Sequence, residues 1–130
     1  MKKKHKIILG ILVVVIIGAY FGIKTIELNL EQLKDLKISN VDISKVPDGT
    51  YAGSYKVFPI IAEVKVTVKN HEITGIELLK HKSGQGAPAE MIPSKVVEAQ
   101  TLEVDAVSGA TYSSKVILKA IENALNNTNK

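Results

Sequence analysis

Seventeen consecutive residues, Ile7–Ile23, carry no charge. No other feature restricts the fold as much. A helix that is apolar on every face must be wrapped by protein or by lipid, and a chain of 130 residues leaves little protein to do the wrapping. At 1.5 Å per residue the run covers ~26 Å. Extension to Ile26, with Lys24 snorkelling, brings it to roughly 30 Å, the thickness of a bilayer core. Lys2, Lys3, Lys4 and Lys6 precede it, and such a cluster holds the N-terminus on the cytoplasmic side. A cleaved signal peptide is the rival reading. It would have a shorter apolar region followed by a small-x-small cleavage site, and Ala19-Tyr20-Phe21-Gly22 is a poor one. Residues 1–26 therefore read as a cytoplasmic tip and an uncleaved single-pass anchor in the cell membrane, with everything after them extracytoplasmic.

The anchor also accounts for the basicity. The chain has a formal charge of +4, but residues 1–26 hold five lysines and no acid, which leaves a net charge of −1 on the rest. There is no arginine, so bidentate readout of guanine or phosphate is missing, and nucleic acid is set aside as a partner. The absence of cysteine rules out disulfides, thiolate metal sites and cysteine nucleophiles. No His/Asp/Glu spacing suggests a structural metal site.

Residues 27–47 read as a linker. Leu30, Leu33 and Leu36 allow a short amphipathic helix, and Ile38–Pro47 looks extended; fully stretched, the segment reaches ~70 Å. A domain follows over 48–130. Asp48-Gly49 is a turn signal, after which TYAGSYKVF reads as a strand. Glu63–Lys69 places Val64, Val66 and Val68 on one face and charged residues and Thr67 on the other, a half-buried strand. Asn70-His71 fits a two-residue hairpin turn, and Glu72–Lys80 returns as the partner strand. Its apolar phase slips after Ile73, which predicts a bulge at Gly75. Ile92-Pro93 opens a helix, and Leu102–Val104 reads as a short strand. In the last helix Val116, Ile117, Ala120, Ile121, Ala124 and Leu125 form one stripe; Lys115, Lys119, Glu122, Asn123 and Asn126 lie opposite. The expected fold is α+β: a small antiparallel sheet packed against two helices, preceded by a transmembrane helix.

Asp105–Ser114, DAVSGATYSS, gathers hydroxyls around one glycine at the entrance of that last helix. Two readings stand. In one, Ser and Thr cap the helix, Gly109 makes the turn and Asp105 favours the positive helix end. In the other, a hydroxyl among free N–H groups contacts or carries a phosphate, Gly109 and Ala110 leave room for a bulky group, and Asp105 binds a divalent ion that arrives with a nucleotide.

The segment DAVSGAT resembles the flavinylation motif D-x-x-[ST]-G-A-T of the FMN-binding domain family. That family includes the flavin-bearing C subunit of sodium-pumping NADH:quinone reductase and the G subunit of Rnf complexes. The likeness extends from DGTY at Asp48–Tyr51, through HKSGQG at His81–Gly86, to the C-terminal helix. It is greatest toward short single-span proteins of Gram-positive envelopes, since the longer N-terminal elaborations of the large complexes are missing. The resemblance implies FMN joined by a phosphoester to Thr111, with Asp105, Ser108, Gly109 and Ala110 filling the rest of the motif. It implies a Mg-dependent FMN transferase that makes the bond from FAD, and a loop at Gly84, Gln85 and Gly86 close to the flavin. His81 is a weaker candidate, and Tyr112 either stacks on the ring or packs. The function so implied is electron transfer outside the membrane, between a membrane donor and an extracytoplasmic acceptor that remain unidentified, with the linker letting the flavin domain move between them. Two alternatives are a small flavin-dependent reductase and a noncatalytic surface module.

Overall fold

The computed structural model describes residues 2–82 and 87–127. The uncharged run lies in α1, an unbroken helix over Lys2–Lys34. Its apolar side chains stand fully exposed from Ile7 to Ile23, and it is long and apolar enough to cross a membrane.

Three antiparallel strands follow in the order β1-β2-β3, at Gly49–Val57, Ile60–Lys69 and Glu72–Lys82. The alternation read in β2 is realised: Val64, Val66 and Val68 are fully buried, while Glu63, Lys65 and Lys69 are exposed. Asn70 and His71 form the β2–β3 turn with φ of 54° and 64°, the left-handed pair a two-residue hairpin of this hand requires. Thr67 faces Gly75 while Val68 faces Ile73, so Thr74 is the extra residue of the bulge expected at Gly75. A second bulge, at Leu79, returns His81 to the inner face opposite Ala62.

The inner face is covered by α2 (Ile92–Ala99) against β3 and by α3 (Thr111–Asn126) against β1 and β2. All six apolar positions of the α3 stripe are buried. Gly53 is the point of closest approach: a Cβ there would run into the Ala120 carbonyl and the Ala124 amide. Asn123 and Asn127 donate from α3 to the free carbonyls of Ser54 and Ala52, at 2.9 and 3.0 Å, covering the open edge of β1.

Two expectations need correction. Leu102–Val104 is not a strand. The Gln100 side chain already occupies the β3 edge, accepting from the Ile73 amide and donating to the Ile73 carbonyl, both at 2.8 Å. The Leu102 amide turns instead to Asn40 Oδ1 at 3.2 Å. Nor is the segment before the domain a free spacer. The helix continues to Lys34, Leu33 and Val46 are buried, and Leu30, Leu36, Ile38, Val41 and Ile43 pack on the same core. This segment covers the polar side of α3. Lys115 Nζ donates to the Leu33 and Lys34 carbonyls at 2.8 and 2.7 Å. Buried Glu122 accepts from the Ser39 amide at 3.2 Å and pairs with Lys119 at 2.7 Å.

Candidate functional site

The entrance to α3 is built by one tight turn. The Ala110 amide donates to the Val107 carbonyl at 2.9 Å, closing a turn over Val107–Ala110. Gly109 sits at its third position with φ +81°, a value that favours glycine. No atom lies within 4 Å of where its Cβ would stand, so backbone conformation alone demands the glycine.

The turn is locked from inside by a residue the sequence reading placed outside the motif. Ser114 Oγ, fully buried, accepts from the Val107 amide at 3.0 Å and donates to the Ala110 carbonyl at 2.7 Å. Serine four residues after a carbonyl bonds back to it in this way. The i, i+4 spacing of Ala110 and Ser114 was the available signal.

The capping reading meets a different arrangement. The N-cap residue is Ala110, and no side chain caps the helix. Thr111 is the first helical residue; it is exposed, and its hydroxyl has no hydrogen-bond partner among the described residues. The first-turn amides thus stay available at the positive helix end. Thr111 lines an open hollow of about 520 Å³ with Gly109, Tyr112, Lys34 and Lys115. The two lysines come from the end of α1 and the first turns of α3, so the hollow lies where the N-terminal helix meets the domain.

The other candidates separate around this hollow. Ala110 is buried at the end of the turn, Tyr112 is half-buried on the hollow's wall, and Ser108 is exposed at the turn's second position. Asp105 is exposed and lines another hollow, with Lys95, Glu98 and Glu103; it neither caps α3 nor borders the Thr111 hollow. His81 is the penultimate residue of β3, with its side chain buried. Its Nδ1 lies 3.2 Å from Glu90 Oε1, and its buried Nε2 has no partner among the described residues. Gly84, Gln85 and Gly86 lie outside the described residues. A slightly larger hollow of about 590 Å³ lies between Asn40–Ser44 and the β2–β3 turn. Its hydroxyl, Ser44, is already bonded to Asp42 at 2.5 Å, so it offers no free group like Thr111.

Comparison with known proteins agrees with the motif. The chain is 34% identical over 98 residues to a protein of Vibrio harveyi named NADH:acrylate oxidoreductase; the aligned region is 73% of this chain and 10% of that protein. The chain thus spans about a tenth of this curated relative. The family model for the FMN-binding domain matches residues 60–126, from the first residue of β2 to the last of α3. With half of its length so matched, the chain belongs to the FMN-binding domain family.

Proposed function

We propose that this chain is a membrane-anchored flavoprotein that carries FMN as a phosphoester on Thr111 and transfers electrons outside the cytoplasmic membrane. One observation carries the reading: within DAVSGAT, Thr111 holds an exposed hydroxyl with no hydrogen-bond partner among the described residues, at the first position of a helix whose N-cap residue makes no side-chain bond. The residues around it fit a phosphate ester. First-turn amides and the helix dipole favour an anion, and Lys34 and Lys115 bring positive charge to the same hollow. Thr111 Oγ would bond to the phosphorus of the FMN half of FAD as the pyrophosphate bond breaks and AMP leaves. The hydroxyl proton would pass to the separate Mg-dependent transferase. FMN, once bound, supplies the redox chemistry. The chain holds it at the junction of α1 and the domain, where a cofactor not covalently joined would be lost to the surroundings. Asp105, remote from the hollow, serves the transferase or its metal rather than the attached phosphate. His81, whose buried Nε2 has no partner among the described residues, is the candidate on the β3 side.

The lysine cluster before the apolar run supports an N-terminus in the cytoplasm and a domain outside. The test is co-expression with an FMN transferase, followed by in-gel flavin fluorescence after denaturation and intact-mass measurement. The wild-type chain should gain the mass of FMN less water, and Thr111→Ala should not. A Thr111→Ala protein that still carries flavin overturns the attachment. Protease added to intact protoplasts should remove the domain; protection of the domain overturns the orientation.

A further inference from the structure

The turn between β1 and β2 is fastened to α1. Asn29 Nδ2 donates to the Phe58 carbonyl at 3.1 Å. Asn29 lies three residues beyond Ile26, the end of the apolar stretch, which is ~4.5 Å along the helix axis. The polar zone on each side of a bilayer core is roughly 5–7 Å thick. A membrane that holds α1 up to Ile26 therefore reaches the level of the turn. The turn carries Phe58, 58% exposed, and Leu28 on α1 beside it is 61% exposed.

All three strands finish at this end. Val57 pairs with Ile60, and Ile61 is flanked by Lys56 and Lys82. Both lysines are exposed, and neither of these two rows holds an acidic residue. Of the two acids on α1 that flank Asn29, Glu27 and Glu31, Glu27 is paired with Lys24 at 3.6 Å. The opposite end of the sheet is different: it holds Asp48, Glu72 and Lys69, with the Asp48 carboxylate accepting from the Asn70 amide. One end thus has the aromatic-and-lysine composition favoured at lipid interfaces, where aromatic rings sit among headgroups and lysines meet anionic lipid.

We infer that the β1–β2 turn docks on the bilayer, with Phe58 among the lipid headgroups and Lys56 and Lys82 facing them. This rests on the reading of α1 as a membrane span. Docking at two points, α1 and the turn, holds the domain against the membrane in one orientation and keeps the Thr111 hollow at a set height. The chain has no tryptophan, so single tryptophans can report depth. Full-length Tyr20→Trp, Phe58→Trp and Glu72→Trp are each reconstituted into phosphatidylcholine–phosphatidylglycerol vesicles, with and without bromine on the upper acyl chains. Tyr20→Trp and Phe58→Trp should lose most of their fluorescence to bromine. Glu72→Trp, at the start of β3 opposite Lys69 and so ~30 Å from the turn along β2, should keep its own. Quenching of Tyr20→Trp without quenching of Phe58→Trp leaves the anchor standing and overturns the docking. No quenching of Tyr20→Trp removes the anchor and the docking together. A Phe58→Trp emission that is blue-shifted but insensitive to bromine places the turn against protein and also overturns it.

Discussion

The first turn of α3 and the three turns after it belong to one helix but stand in opposite surroundings. At the start, Thr111 is exposed and, among the described residues, unbonded, at a helix end with no side-chain cap. Further on, the helix is buried on both flanks: Val116, Ile117, Ala120, Ile121 and Ala124 lie against the core, Lys115 bonds to the end of α1, and Glu122 bonds to the segment that follows it. The contrast separates the residue proposed for attachment, which neither caps nor packs among the described residues, from residues that hold the fold. Ser114, buried and bonded twice, marks the boundary between the two regions.

The largest effect should come from Thr111→Ala. Covalent flavin should vanish completely in intact-mass spectra, while the urea midpoint of unmodified protein stays near wild type, because the side chain makes no contact that holds the fold. A large loss of stability would erase the contrast by making Thr111 structural.

Gly53→Val should do the reverse. The new side chain must displace the α3 backbone at Ala120 and Ala124, and overpacking of this kind costs roughly 3 kcal/mol. Denaturant melts should show that loss, and whatever fraction folds should still accept flavin at Thr111.

Ser114→Ala tests the boundary. It strips the Val107 amide of its acceptor, which should cost about 2 kcal/mol. The loosened turn should slow attachment in a timed mass assay without abolishing it. Attachment at the wild-type rate would show that presentation of Thr111 does not depend on the buried lock.

The smallest effect is expected far from α3. The Ser44 hydroxyl and amide, with Lys45 nearby, hold the Asp42 carboxyl below its ordinary value of 3.8. A lowered carboxylate contributes stability that is present above the unfolded value and lost as pH falls through the lower folded one. The turn at Ile43–Lys45 should therefore loosen only in strong acid. In an NMR titration Ser44→Ala should move the Asp42 midpoint up toward that of a free aspartate; an unchanged midpoint would contradict the assigned cause.

Much of this architecture was legible because its signals are local. The uncharged run, the two-residue periodicity of β2, Asn70-His71 and the 3.6-residue stripe of α3 each report an element from neighbouring residues. The family motif pointed to Thr111 in the same way. The role of Ser114 was missed because its two partners take their positions only once Gly109 turns the chain back.

The sequence by itself determined an apolar N-terminal helix, a β2–β3 hairpin, an amphipathic last helix and the hydroxyl-rich entrance between them, because short-range sterics and apolar spacing suffice for each. Tertiary structure decided what the polar side of α3 would face. Lys115 and Glu122 look like solvent-facing charges in a helical projection, yet their partners at Leu33 and Ser39 lie 82 and 83 residues away in sequence. It also decided that residues 30–46 would pack rather than swing, because Leu33 and Val46 find buried positions only after sheet and helix have formed the core that receives them. Periodicity reports which faces of an element are apolar; only the assembled core determines which charged side chains end up paired beneath another segment.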